Sequence, residues 1–215
     1  MDCIFKLRAH LEVTWNISRD CIVADSGLGK EKFISSMLFV SLTHCDSIQI
    51  LLEKRHFASA YALMRPLLET TYRAVWLNKC ATEKQVMLRI EKDDWQNKSA
   101  WHHAQEIESK TGNAPILSKI WSDSRKLLHS YSHGGNQNAF RQLGDENWVT
   151  PNIPDEEIFQ LSQVVALMIF VVCNELIELS ENQDHIDTLE QLSNQIQQWA
   201  FNKSSQGTQK SCAPA

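Results

Sequence analysis

The segment from His56 to Leu77 constrains the fold more than any other part of this chain. Its residues are apolar around most of a helical circumference, and a helix of that kind has to be buried on several sides. Other helices must therefore surround it. Yet Arg65, Glu69 and Arg73 recur every four residues along one line. At 100° per residue from Phe57 they fall at roughly 80°, 120° and 160°, flanking the apolar centre and sharing their line with Trp76. On a solvated face, i,i+4 pairs of this type contribute only about 0.2–0.5 kcal/mol each. If buried, two arginines and one glutamate leave a positive charge that wants an anion or another carboxylate. Pro66 removes one helical hydrogen bond beside these residues, which predicts a kink or a restart there.

The rest of the chain also reads as helix. With 7 Gly and 5 Pro in 215 residues, it is too poor in turn formers for a loop-rich β fold, and no hairpin signature separates alternating strands. Apolar periodicity predicts seven helices, over about 5–23, 31–54, 57–79, 83–110, 116–133, 156–180 and 184–201. Antiparallel helices joined by short turns make an all-α bundle the expected architecture. The fourth helix is polar and is expected on the outside, with His102 and His103 on its surface. Gly134-Gly135 ends the fifth helix, and residues 134–154 read as an irregular connection pinned by Trp148. One domain is expected over 1–201, with 202–215 a disordered C-terminal tail.

The net charge of -5 argues against a broad nucleic-acid-binding surface but leaves room for a local basic pocket. Six cysteines without zinc or dithiol spacing fit a reducing compartment. The N-terminus lacks the basic-then-apolar pattern of a signal peptide. Leu161–Leu179 is the most apolar run, but Glu175 and Glu178 interrupt it, so it reads as a core helix rather than a membrane span. The expectation is a cytoplasmic protein without a membrane partner.

A second segment, Arg125 to Gly135, carries polar residues of an unusual kind. Leu117, Ile120, Trp121, Ser124, Leu128 and Tyr131 form its inner face, while Arg125, His129, Ser132 and His133 progress around one edge. Histidine suits general acid/base work near neutrality, and arginine holds a phosphate or stabilises the charge developing on it. Arg125, His129 and His133 are thus the candidate catalytic residues for cleaving RNA without metal. Arg65, Glu69, Arg73, Tyr131 and Ser132 are candidates for binding or orienting a substrate. Metal is a rival use of His129 and His133, because two histidines at i,i+4 can share an ion. Glu53-Lys54-Arg55-His56 supplies one Glu-x-x-His motif, where a di-iron bundle needs two. The reading carried forward contains no metal or cofactor. A second alternative is purely structural: buried Arg, Glu and His satisfy one another and fix the packing of a non-catalytic interaction module. A third is a regulator that binds a small anion or nucleotide.

The stretch Leu63 to Leu77, with its Arg-(x)3-Glu-(x)3-Arg helix, and the later Tyr131-Ser132-His133-Gly134 segment resemble bacterial helical families akin to the HEPN superfamily. That resemblance implies a HEPN-like helical bundle. It also implies a metal-independent ribonuclease or RNA-binding component of a phage-defence or toxin–antitoxin system, working as a homodimer; the non-catalytic interaction module would instead work with a partner protein encoded nearby. The superfamily's catalytic motif places four to six residues between Arg and His. Here Arg125 stands three intervening residues before His129 and seven before His133, and the His-Gly ending matches at His133.

Overall fold

A computed structural model describes residues 2–21, 29–92, 95, 98–144, 149, 152–180 and 182–201. Within them the chain is all-helical, with nine α-helices: α1 (Asp2–Asp20), α2 (Lys30–Glu53), α3 (Phe57–Lys79), α4 (Glu83–Lys92), α5 (Ala100–Thr111), α6 (Ile116–Ser132), α7 (Asn136–Phe140), α8 (Asp155–Ser180) and α9 (Ile186–Ile196). A 3-10 turn, Gln183–His185, leads into α9, and a π-helical turn, Gln197–Phe201, leaves it. No strand occurs among the described residues; Leu143 and Val149 form one isolated antiparallel bridge.

Two differences raise the count from seven to nine. The expected helix over 83–110 is two helices, α4 and α5, and Trp95 lies between them, packed against the core. The connection after Gly135 contains the short α7. The positions of Trp148 and of the tail 202–215 fall outside the described residues.

The helix over His56–Leu77 behaves as its composition requires. Met64, Leu67, Leu68, Thr71, Tyr72, Val75 and Trp76 are all buried. α2 and α3 pack along each other, and α5, α6 and α8 pack on other sides of α3. The reversal between α2 and α3 is a helix-ending motif in which the N–H of His56 donates to the Leu51 carbonyl at 2.8 Å. Arg55 takes the left-handed position at φ 58°, a place glycine usually fills, and its guanidinium lies over the Phe57 ring.

α8 and α2 are long and apolar enough to cross a membrane by length and composition. In the fold, α8 packs against α1, α2, α3 and α9. Glu175 of α8 is buried there, accepting from Asn78 Nδ2 at 2.6 Å and pairing with Lys79 at 3.3 Å. A carboxylate so deep needs such partners, since an unpaired buried charge is costly. Burial still raises its pKa above the ordinary carboxylate value. The described cysteines are free thiols, and Cys3, Cys21, Cys45 and Cys173 are buried as small core residues.

α3 is continuous from Phe57 to Lys79, with no restart at Pro66. Proline has no N–H, so the Ala62 carbonyl one turn earlier lacks its helical donor. Ser132 reaches across from the end of α6 and donates its hydroxyl to that carbonyl at 3.5 Å.

Candidate functional site

α6 is held along α3 by three side-chain links. Tyr72 donates its hydroxyl to the Leu117 carbonyl at 3.0 Å. The rings of Tyr61 and Tyr131 stack with centroids 4.7 Å apart and planes 18° from parallel. The Ser132 hydroxyl meets Ala62 near the end of α6. Tyr131 and Ser132 are therefore spent on joining helices: Tyr131 is 3% exposed in the core, and Ser132 tends the carbonyl that Pro66 orphans.

The His-Gly pair ends α6. His133 is the C-cap, Gly134 follows at φ 67°, and the Gly135 N–H donates to the Ser130 carbonyl at 2.7 Å. This is the bonding of a Schellman motif, which favours glycine at the left-handed position. Gly135 is required for a different reason, because a Cβ there would lie 2.5 Å from the Ser130 hydroxyl oxygen and 3.1 Å from its Cα. The cap leaves His133 exposed one turn beyond His129.

These constraints bring Arg65 of α3 against the edge of α6. Its Nε donates to Glu69 Oε1 at 2.9 Å. Its Nη1 lies 3.2 Å from Nδ1 of His129 and 3.4 Å from Nε2 of His133. A guanidinium has donors only and keeps its charge. Both ring nitrogens must then present lone pairs to it, which puts the protons of the neutral rings on His129 Nε2 and His133 Nδ1. The imidazoles lie 4.5 Å apart at 45°. The lone pairs that would ligate a metal face a cation instead. No group of three or more His, Cys, Asp or Glu stands together in a metal-binding arrangement among the described residues. Glu53 of the Glu-x-x-His motif pairs with Arg8.

The stripe divides in its use. Glu69 holds Arg65 closely and Arg73 more loosely, at 3.8 Å. Arg73 turns away toward Trp95, its guanidinium carbon 5.0 Å from the ring centroid. All three side chains keep between 24% and 32% of their surface, so the stripe is half-buried rather than sealed.

Beside Arg65 a cleft of about 730 Å³ opens between α5 and α6. Arg125, Lys126 and His129 supply its α6 wall, with Trp121 behind them, and Ser99, Trp101 and His102 face them from α5. Arg125 and Lys126 are exposed, and neither has an ion-pair or hydrogen-bond partner among the described residues. Among the described residues, none of the lining side chains is acidic. α5 begins at the cleft, and no side chain caps its first turn, so its partial positive charge adds to the field. The cleft thus gathers cations, N–H donors and hydroxyls in a chain whose net charge is -5.

The candidates Arg65, Arg125 and His129 meet in this cleft, with His133 against the first and last of them. Glu69 braces from behind, and Arg73 belongs to a neighbouring cluster. Lys126, Trp101 and the α5 hydroxyl and imidazole were not legible as site residues. Lys126 is adjacent to Arg125, but nothing in the spacing shows that α5 comes to lie opposite α6.

His103 is not on the surface as expected. It is 1% exposed, packed between Trp76 and Trp95 with ring centroids at 5.1 and 5.8 Å. Burial, aided by the nearby Arg73 charge, pulls its pKa down to about 4. Trp95, between α4 and α5, covers it, and the expectation of one continuous helix over 83–110 did not foresee that arrangement. His102 is exposed, as expected.

A family model matches the chain over residues 38–200, that of a family of unknown function (DUF6988). No curated protein matches it. No solved structure matches it either.

Proposed function

The chain belongs to this DUF6988 family, and from that premise we propose that it is a HEPN-like helical-bundle protein that binds RNA by its phosphates in the α5/α6 cleft and cleaves it without metal. The observation that carries the reading is the pair of cations, Arg125 and Lys126, which have no ion-pair or hydrogen-bond partner among the described residues and line a cleft that also holds Arg65 and His129 and has no acidic lining residue among them. Charges placed this way hold a phosphodiester, and guanidinium groups suit its paired oxygens.

Cleavage follows from the same residues. A phosphate entering the cleft competes for the Arg65 guanidinium and frees the two imidazole lone pairs. His129 Nδ1 then takes the proton of a ribose 2′-hydroxyl. The 2′-oxygen attacks phosphorus, and the P–O5′ bond breaks. His133, carrying a proton on Nε2 once Arg65 has turned to the phosphate, gives that proton to the leaving 5′-oxygen. The products are a 2′,3′-cyclic phosphate and a 5′-hydroxyl. Arg125 and Lys126 neutralise the charge that builds on the phosphoryl oxygens. The resemblance to HEPN proteins adds a homodimer and a role in phage defence or a toxin–antitoxin pair, and the cysteine usage adds a reducing, cytoplasmic location.

A second reading is favoured by the Arg65 contacts themselves. With both histidine lone pairs engaged, the network also serves a non-catalytic module in which Arg65 locks α3 to α6. Incubating the pure protein with RNA in the presence of a chelator separates the two. Cyclic-phosphate ends that form with wild type and vanish in His129→Ala and His133→Ala support the nuclease. RNA that is bound but stays intact favours the module, and RNA that is not bound at all overturns the cleft as an RNA site.

A further inference from the structure

We propose that Trp101 is a base-stacking platform and that the cleft therefore takes unpaired rather than duplex RNA; this rests on the reading of the cleft as an RNA site. Trp101 stands in the first turn of α5 and lines the cleft opposite Arg125 and Lys126. It keeps 37% of its surface exposed, although it is one of the largest apolar side chains in the chain. Trp76 and Trp121, by contrast, are covered, at 2% and 8% exposed. The ring of Trp101 meets His102 edge-to-face at 5.1 Å and 72°, and His102 is itself tied to Ser99, Nδ1 to hydroxyl, at 3.0 Å. A neighbour so restrained limits the orientations open to the indole. An indole held at the mouth of a cationic cleft is the combination that single-stranded nucleic acid requires: cations track the backbone while an aromatic ring stacks on a base. Any base offers a π-face, so the platform does not demand a sequence.

A duplex cannot use this site. Its bases are stacked on one another, and A-form RNA presents phosphates and 2′-hydroxyls along its outside, with its bases turned inward. The cleft volume of about 730 Å³ also lies within the range of pockets that enclose small ligands, which suits a splayed nucleotide or two and not a helix. The same platform fits the cleavage step, because an unpaired nucleotide leaves its 2′-hydroxyl free to align with the phosphorus.

The test is direct binding of a short fluorescent oligoribonucleotide to the full chain, offered alone or annealed to its complement. Wild type is expected to bind the single strand at least tenfold more tightly. Trp101→Ala should weaken single-strand binding about tenfold or more, as losing one stacked base does, and leave the slope of log affinity against log salt unchanged, since no phosphate contact is lost. Trp101→Phe should restore most of the affinity, and its retained ring guards against a folding artefact in the alanine variant. Equal binding of duplex and single strand overturns the proposal, as does single-strand affinity unaltered in a folded Trp101→Ala. Failure of wild type to bind either RNA takes down the RNA reading of the cleft along with it.

Discussion

Arg65 donates from Nη1 to Nδ1 of His129 across 3.2 Å, a contact that joins residues 64 positions apart and decides which face of the imidazole carries its proton. The guanidinium cannot accept, so the histidine must. The same argument applies to His133 Nε2 at 3.4 Å. Nitrogen-resolved NMR should find neutral His129 protonated at Nε2 and neutral His133 at Nδ1. In Arg65→Ala the enforced tautomers should relax, most visibly at His133. The stability cost should be about 1 kcal/mol or less, because the Arg65–Glu69 pair is about one-third solvent-exposed. A wild-type His133 protonated at Nε2 would show that the contact with Arg65 does not form.

The Ala62 carbonyl gives a second test. In Pro66→Ala the new N–H can close the helical bond, with a gain of up to about 3 kcal/mol. Ser132→Ala should cost a few tenths to about 1 kcal/mol in wild type and almost nothing when Pro66 is already alanine. Denaturant unfolding of the four chains in the double-mutant cycle measures this coupling. An equal cost for Ser132→Ala in both backgrounds would assign the hydroxyl another role.

His103 makes stability depend on pH. Its pKa is about 4 in the fold and about 6.5 in an unfolded chain. Between those values the unfolded chain takes up a proton that the folded chain refuses. Stability therefore falls as pH drops through that window and levels off below it, by about 3 kcal/mol in all. His103→Phe keeps an aromatic ring between Trp76 and Trp95 and removes the proton. Unfolding curves from neutral pH down to about 4 should show wild type losing about 2–3 kcal/mol more than the variant; parallel curves would count against a buried neutral imidazole.

Arg125 and Lys126 are exposed and unpaired among the described residues, so their loss should not disturb the fold. Arg125→Ala with Lys126→Ala should shift stability by less than about 0.5 kcal/mol. It should weaken RNA binding at every sequence and flatten the salt slope by about 1.4, at roughly 0.7 per phosphate contact to a single strand. An unchanged slope would remove both residues from the phosphate-binding surface.

Much of the fold was legible because helix signals are local. The burial of α3, the end of α6 at Gly134-Gly135 and the extent of α8 within a residue or so all follow from periodicity and capping. The break between α4 and α5 was not legible. The polar stretch around residues 92–98 carries neither Gly nor Pro to mark it, while Trp95 within it packs against the core beside His103. In the site, the edge formed by Arg125, His129 and His133 could be read from i,i+4 spacing. Tyr131 was legible as part of the inner face of α6, whereas the use of Ser132 depends on a carbonyl of α3 that no local spacing reveals. At the last turn of α6, Tyr131 enters the core and Ser132 serves that carbonyl.

By itself, then, the sequence determined that this chain is helical, that α3 is buried with a charged stripe along its flank, and that two histidines and an arginine share one edge at the end of α6. Each of these depends on residues within a few turns of one another. Only the tertiary structure decided that Arg65 faces both histidines, that His103 is enclosed and that Trp101 stands across a cleft from Arg125 and Lys126. Those relationships depend on the register and crossing of packed helices. Side-chain volumes contributed from distant parts of the chain set that register, and no local period encodes it.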